Sequence, residues 1–126
     1  MEPDTPRPTA PTEVDPDRVL GDVGGTVVFE DDRVRVWILK LDPGGRSDIH
    51  RHDNDYLLVK IAGDRVAVIP EADTVSAYTD YFEAPVWPGH VDFMPAGGIE
   101  RAYNPGEERY HEVIVELKQP STETRA

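Results

Sequence analysis

Two histidines separated by one residue, His50 and His52, are the residues of this sequence best suited to chemistry. On a β-strand, residues two apart project from the same side, from Cα atoms about 7 Å apart. Two neutral imidazole nitrogens in that arrangement suit the chelation of one divalent metal ion. The competing interpretation is a solvated pair of loop histidines that hold no ligand. Because the chain has no cysteine, only nitrogen and oxygen atoms are available to complete a metal site.

The two histidines belong to a longer pattern of spaced residues, and a second pattern follows it along the chain. The first reads G-x5-H-x-H-x3-Y-x6-G and consists of Gly44, His50, His52, Tyr56 and Gly63. The second reads G-x5-P-x-G-x2-E-x3-N and consists of Gly89, Pro95, Gly97, Glu100 and Asn104. Together they resemble the two signature motifs of the cupin superfamily over residues 26–118. The resemblance extends to small single-domain bacterial cupins with a conserved barrel of the cupin-2 type.

The resemblance implies an all-β fold, the double-stranded β-helix or jelly-roll barrel, with a metal ion held at its mouth by residues of both motifs. Two ligand positions differ from the family pattern: its glutamate falls here on Tyr56 and its later histidine on Glu100. If the barrel keeps the family's register, His50, His52 and Glu100 converge. Two imidazoles and one carboxylate form the facial triad typical of Fe(II), and the same set is equally compatible with tetrahedral Zn(II). Mn(II) and Ni(II) stay open as well.

The cupin resemblance does not fix a reaction, because the superfamily includes oxygenases, isomerases, decarboxylases, lyases and binding modules without catalysis. We predict a metal-dependent enzyme that acts on a small organic substrate, with an oxygenase preferred over an isomerase or cyclase. Tyr56 and Glu100 are the candidate catalytic residues. The Tyr56 hydroxyl is expected to assist through a hydrogen bond, unless the ring is simply a core aromatic residue. The alternatives are a structural dimerising barrel, or a non-catalytic or metal-free small-molecule-binding cupin, in which a buried Glu100 with a raised pKa would be a general acid or base.

The two remaining histidines are weaker candidates. His90 follows the glycine that opens the second motif, so we expect it in an exposed turn. His111 alternates with Val113, Val115 and Leu117, a pattern that predicts a histidine facing the barrel interior. A packing role in the core or at the rim is preferred there over a ligand role.

The elements that must position these residues are short strands, because apolar residues recur with a period of two and no stretch of ten residues keeps a helical pattern. Strands are predicted at Thr26–Glu30, Val34–Leu41, Asp55–Ala62, Asp64–Ile69, Val91–Met94, Ile99–Asn104 and Arg109–Lys118. Residues 74–83 are predicted to form a strand pair or an extended run, and residues 84–89 a proline-containing corner. Short strands between glycine and proline turns are typical of a sandwich or barrel.

The composition predicts one domain with two tails. The proline-rich and acidic residues 1–18 are expected to form a disordered tail, residues 19–118 the cupin barrel, and residues 119–126 a flexible C-terminal tail. A chain of 126 residues suits a single domain.

The charge of the chain limits its partners. A formal net charge of −12 opposes association with nucleic acids and anionic membranes. We find no apolar run near the roughly 20 residues that span a bilayer, and no secretory signal, and therefore expect a cytoplasmic protein. The expected partners are a small-molecule substrate or ligand and a second copy of the chain, joined by edge strands.

Overall fold

Antiparallel strands and the loops that join them build the protein from Thr26 to Leu117. The structure is a computed structural model that describes residues 7–118, so the outer parts of the two predicted tails, residues 1–6 and 119–126, lie outside the described residues. The strands are β1 (Thr26–Glu30), β2 (Val34–Leu41), β3 (His50–Arg51), β4 (Asp55–Ala62), β5 (Arg65–Pro70), β6 (Phe82–Pro85), β7 (Val91–Met94), β8 (Ile99–Tyr103) and β9 (Tyr110–Leu117).

The strands form two sheets. A five-stranded sheet has the order β1-β2-β9-β4-β7, and a four-stranded sheet has the order β3-β8-β5-β6. All pairings are antiparallel, and strands distant in sequence lie side by side, as β2 and β9 do along their full lengths. The all-β prediction is confirmed. Within residues 7–118, no helix is long and apolar enough to cross a membrane.

The hydrophobic core lies between the two sheets. Trp37 and Leu39 of β2, Tyr56 of β4 and Ile114 of β9 project from the five-stranded sheet and belong to one cluster with Val66 of β5. Each of these side chains is less than a tenth exposed. Burying such side chains contributes on the order of 1.5–3 kcal/mol apiece, so this interface between the sheets stabilises the barrel.

Four predicted strands have the same bounds as in the structure: β1, β2, β4 and β7. The prediction for residues 74–83 is wrong, because strand β6 starts only at Phe82 and also takes in the first two residues of the predicted corner. Thr74 explains part of the difference. Its backbone N–H bonds to the carbonyl of Glu71 at 3.1 Å, and its hydroxyl accepts the N–H of Ile99 at 2.8 Å. One bond within the loop and one from β8 hold a loop here, where the alternating pattern predicted a strand pair or an extended run.

The boundary between tail and barrel at residues 18 and 19 stays a prediction. Arg18 itself contacts the barrel, since its guanidinium bonds to Glu71 at 3.1 Å and to Asp73 at 2.8 Å. Its side chain is 12% exposed. The chain therefore makes ordered contacts at the last residue of the predicted tail.

Candidate metal centre and cavity

The register between β3 and β8 brings the two motifs together. His50 of β3 lies directly opposite Glu100 of β8 in the antiparallel pair. Residues opposite each other have Cβ atoms about 5 Å apart and project to the same face. His52 lies just beyond the end of β3. The structure therefore brings His50, His52 and Glu100 into one group, with one donor atom from each lying within 4.8 Å of the others.

A loop between β7 and β8 holds the backbone of His52 from both sides. Its N–H donates to the carbonyl of Gly98, and its carbonyl accepts the N–H of Gly97, both at 2.8 Å. Gly97 has a φ of +114°, and a Cβ at this position would lie 2.6 Å from the carbonyl oxygen of Val75. Only glycine fits there without moving a neighbour. The second motif thus needs its glycine to position a histidine of the first.

The orientation of the His50 ring follows from one hydrogen bond. Its Nδ1 lies 2.8 Å from the carbonyl oxygen of Asp48, which can only accept, so Nδ1 carries the proton. The lone pair is then on Nε2, which lies 3.1 Å from Nε2 of His52. A carbonyl that fixes the tautomer of a ligating histidine is a common feature of metal sites.

Burial sets the charge of the group. It lowers the pKa of His50, and it lowers the pKa of His52 to about 3, so both rings are neutral near pH 7. Burial also raises the pKa of Glu100 to about 7. Neutral imidazoles are the form that binds metal ions. The contact of 3.9 Å between His52 and Glu100 is therefore no ion pair at neutral pH.

These residues fit a divalent metal ion. Two ligand atoms that each lie about 2.1 Å from a metal ion, with an angle of about 90° at the metal, are about 3.0 Å apart. This is close to the 3.1 Å between Nε2 of His50 and Nε2 of His52. Nδ1 of His52 is buried and has no hydrogen-bond partner among the described residues. A buried site of two nitrogens and one carboxylate oxygen suits iron, zinc, manganese or nickel.

Tyr56 packs against His52. Its ring stacks on His52 with centroids 3.9 Å apart and planes inclined by 14°. Since Nδ1 of His52 has no partner, this stacking and the backbone bonds fix the His52 ring. Burial and the charge of Glu100 raise the pKa of the Tyr56 phenol far above its usual value, so it keeps its proton. It can donate a hydrogen bond to a ligand.

A cavity of about 410 Å³ opens from the candidate metal group between the two sheets. Its size lies in the range of small-molecule sites. Aromatic residues contribute to its wall, among them Tyr56, Tyr78, Phe82 and Trp87. Trp87 is 65% exposed, so part of this aromatic wall faces solvent.

A second polar group lines the same cavity, and the motifs gave no signal for it. Lys60 of β4 lies opposite Glu112 of β9 and is 6% exposed. Its ammonium is 3.8 Å from Asp92 of β7. Burial and repulsion from Glu100 raise the pKa of Glu112 to about 7, although the charge of Lys60 opposes the shift. The alternation along β4 does predict the position of Lys60, because Lys60 is four residues after Tyr56 and therefore lies on the same face.

The inward orientation predicted for His111 is wrong. The buried residues of β9 are Tyr110, Glu112, Ile114 and Glu116, so His111 and the valines project from the opposite face. Glu116 is buried because the Trp37 indole N–H and the Asn54 amide both donate to its carboxylate. On β9, therefore, two glutamates lie on the inward face, and the valines lie on the outward face. His90 is exposed, as predicted, and its ring bonds to Asp92 at 2.9 Å at the edge of the cavity.

Asn104, the last residue of the second motif, has a structural position. It is fully buried, and its amide donates to the carbonyls of Leu41 and Glu108 at 2.9 and 2.8 Å. Its oxygen accepts the N–H of Gly106. These bonds fix the turn between β8 and β9 and do not reach the metal group.

Comparison with known proteins agrees with this architecture. A family model described as auxin binding protein matches residues 19–124. The auxin-binding proteins T85 and T92 of Nicotiana tabacum are 24% and 22% identical over 102 residues, which are 78% of this chain and 52% of each tobacco protein. The chain thus spans about half the length of these relatives.

Solved structures show the same fold. A cupin domain from Bordetella pertussis superposes with a TM-score of 0.64 and 24% identity, over 75% of this chain and 91% of that one. A double-stranded β-helix domain protein from Klebsiella pneumoniae has a TM-score of 0.58 and 17% identity, over 80% and 83% of the two chains. The fold is therefore the double-stranded β-helix that the motifs predicted. With the family model matching most of its length, this chain belongs to the auxin-binding protein family of the cupin superfamily.

Proposed function

We propose that His50, His52 and Glu100 bind one divalent metal ion and that the adjoining cavity holds a small organic substrate. The observation that carries this proposal is the convergence of the three donor groups, from two distant segments, on one buried point of the cavity wall. A bound ion would act as a Lewis acid toward a ligand oxygen or activate water or dioxygen. Three protein ligands leave positions free for such ligands.

The protein's own groups would orient the substrate. The protonated hydroxyl of Tyr56 would donate a hydrogen bond near the metal group, and Lys60 would present its ammonium farther along the cavity. The aromatic residues of the wall, Tyr78, Phe82 and Trp87, would contact an apolar part of the ligand. An enzyme of the oxygenase type is preferred over an isomerase or cyclase, because two histidines and one carboxylate are the donor set of Fe(II) oxygenases.

The names of the tobacco relatives suggest a first ligand to test. Those proteins are named for auxin, a small molecule, and the cavity has the size and the aromatic wall that a small aromatic ligand needs. Calorimetric titration of the metal-loaded protein with an auxin would measure binding directly. Because this chain is 24% identical to the tobacco protein T85, the auxin is a first probe, and other small organic acids should be titrated in the same way.

A second candidate function is metal-free binding of a small molecule. The contact that favours it is the 3.1 Å distance between the Nε2 atoms of His50 and His52, which one N–H⋯N hydrogen bond can satisfy without an ion. Glu100, with its pKa near 7, would then be able to donate or accept a proton in the cavity.

Elemental analysis of protein purified without a polyhistidine tag separates the two functions. We expect close to one equivalent of metal in the wild type and a loss of metal in His50→Ala and in Glu100→Ala. His90→Ala is the matched control, because it removes an imidazole at the cavity edge outside the metal group and should keep the metal. Iron as the retained ion supports an oxygenase. An absence of metal after incubation with Fe(II), Mn(II) and Zn(II) would establish the metal-free barrel, and metal retained in Glu100→Ala would remove Glu100 from the ligands.

A further inference from the structure

The wall of the cavity has two polar parts with an apolar stretch between them. The pairing of β4 with β9 places three rows of residues on the inner face of the sheet: Tyr56 with Glu116, Leu58 with Ile114, and Lys60 with Glu112. Successive rows lie about 7 Å apart, because every second residue of a strand faces inward. Tyr56 stacks on His52 of the metal group. Lys60 is therefore two rows, or about 13 Å along the strand, from the residue that packs against the metal group.

The ammonium of Lys60 is buried and has no close anionic partner. The Lys60 side chain lines the cavity and is 8% exposed. The nearest carboxylate among residues 7–118 is that of Asp92, at 3.8 Å. A hydrogen bond between an ammonium and a carboxylate is about 1 Å shorter. None of the three N–H donors of Lys60 is thus used by a carboxylate at hydrogen-bond distance.

The titratable groups around Lys60 compensate its charge only in part. Asp92 is 38% exposed, and its carboxylate also contacts the ring of His90 at 2.9 Å. Glu112 lies opposite Lys60 on β9, and burial raises its pKa to about 7. Near neutral pH, Glu112 therefore supplies less than one full negative charge. A buried ammonium in these surroundings favours an anionic ligand, because a charge that is removed from water needs an opposite charge or hydrogen bonds.

We propose that Lys60 binds the carboxylate of a small organic acid and thereby makes the cavity selective for acids. The proposal rests on the proposed function, since it takes the same cavity as the ligand site. It places the carboxylate on the lysine and leaves the metal position to water or to a second oxygen of the ligand. A carboxylate fits better than a phosphate, because one ammonium balances one negative charge, and Asp92 and Glu112 would repel a second.

The corner before β7 adds an aromatic surface at the same part of β4. The N–H of Lys60 donates to the carbonyl of His90 at 3.0 Å, and the carbonyl of Lys60 accepts the N–H of Gly89 at 2.7 Å. These two bonds hold the corner against β4. The corner contains Trp87, which lines the cavity. An aromatic ring of the ligand would contact this indole and the apolar row, while the carboxylate reaches Lys60. The ligand class we expect is an aromatic acid with one carboxylate.

Calorimetric titration with acids and their matched amides tests the role of Lys60. The probes are benzoate, phenylacetate and 3-phenylpropionate, and the amide of each has nearly the same shape without the charge. We expect the wild type to bind at least one acid with a Kd at least about tenfold lower than that of its amide. Lys60→Met, which keeps the length of the side chain, should lose this preference. Lys40→Met is the matched control and should keep it, because Lys40 is exposed on β2 and does not line the cavity.

A second variant tests the same proposal without altering the lysine. Asp92→Asn removes the carboxylate that competes for Lys60, so the Kd for the acid should fall by about threefold or more, while the Kd for the amide stays the same. Asp92 is more than a third exposed, so the variant should fold, and circular dichroism checks this for every variant. Asp92→Asn decides the outcome by itself if Lys60→Met does not fold.

Titrations in EDTA and with bound metal separate this proposal from the proposed metal centre. The preference for the acid should persist in EDTA, and Lys60→Met should retain as much metal as the wild type. A preference that disappears in EDTA and survives in Lys60→Met would place the carboxylate on the metal and overturn the proposal. An absence of binding for all three acids at up to about 10 mM would overturn it as well, since fragments of this size bind cavities with millimolar Kd values. Tighter binding of phenyl phosphate than of every acid would overturn the choice of a carboxylate.

Discussion

Burial controls the ionisation of the side chains that line the cavity. His50 and His52 are kept neutral, and the pKa values of Glu100 and Glu112 are both raised to about 7. A carboxyl group in an apolar cavity loses hydration that the charged form needs most. The two carboxyl groups therefore stay close to their protonation midpoints at neutral pH. One of them, Glu112, lies outside the proposed metal ligands and can be tested by itself.

Glu112→Gln should stabilise the metal-free protein at pH 8. The folded protein holds the pKa of Glu112 near 7, above its ordinary value of 4.5, so the wild type loses stability as pH rises from 4.5 through 7. The full difference corresponds to about 3 kcal/mol, and a neutral glutamine avoids it. Thermal unfolding in EDTA at pH 4 and pH 8 measures the effect, with Glu107→Gln on the surface as the control. A variant equally stable to the wild type at both pH values would show that Glu112 is not desolvated as described.

The elements around the site act through their backbones. Strand β3 has only two residues, yet its pairing with β8 sets His50 against Glu100, and the loop before β8 holds His52 through Gly97 and Gly98. Strand β9 shows the opposite arrangement, a long strand whose inward face carries Glu112 and Glu116 between core residues. The motif glycines thus matter for backbone geometry, whereas parity along a strand decides which side chains reach the cavity.

Gly97→Ala should weaken metal binding at least tenfold without unfolding the protein. Its new Cβ would lie 2.6 Å from the carbonyl oxygen of Val75, so the loop must shift and the hydrogen bond from Gly97 to His52 is lost. Gly44→Ala is the matched control, since Gly44 also has a positive φ, +82°, but a Cβ there meets no atom within 4 Å. The control should cost about 1 kcal/mol of stability and keep the metal. Metal titration of both variants decides the matter, and equal affinities would remove the loop from the positioning of His52.

At the scale of the whole molecule, the cavity and the core lie between the two sheets. The inner face of the five-stranded sheet packs on the four-stranded sheet and encloses the cavity. The metal group lies on the four-stranded sheet, with donors from β3, the residue after it, and β8. A ligand that joins these segments ties together parts of the chain that are far apart in sequence.

Metal binding should therefore raise the stability of the entire domain. An ion that binds only the folded state, at about 100 times its Kd, adds about 2.7 kcal/mol to the free energy of unfolding. For a domain of this size the increase in Tm is on the order of 10 °C. Differential scanning calorimetry with and without the metal identified by elemental analysis measures the shift, and His50→Ala should abolish it. A shift of the same size in His50→Ala would place the stabilising ion elsewhere.

The sequence by itself determined most of the strand pattern and the two cupin-like motifs, because these depend on local alternation and on fixed spacings. The resemblance to the cupin motifs then implied that His50, His52 and Glu100 converge, and it put Tyr56 at the position of another ligand. Which residues of a strand share one face also follows from local alternation, but which of the two faces points into the barrel does not.

Only the tertiary structure decided that choice for β9. Both faces of β9 contain residues that can be buried, and the inward set became Tyr110, Glu112, Ile114 and Glu116 because Trp37 and Asn54 supply hydrogen bonds to Glu116 from other segments. The loop at residues 74–81 has the same origin, since the N–H of Ile99 in β8 bonds to the hydroxyl of Thr74. Such contacts depend on which distant strand lies alongside, and local spacing along a single strand carries no information about its neighbours.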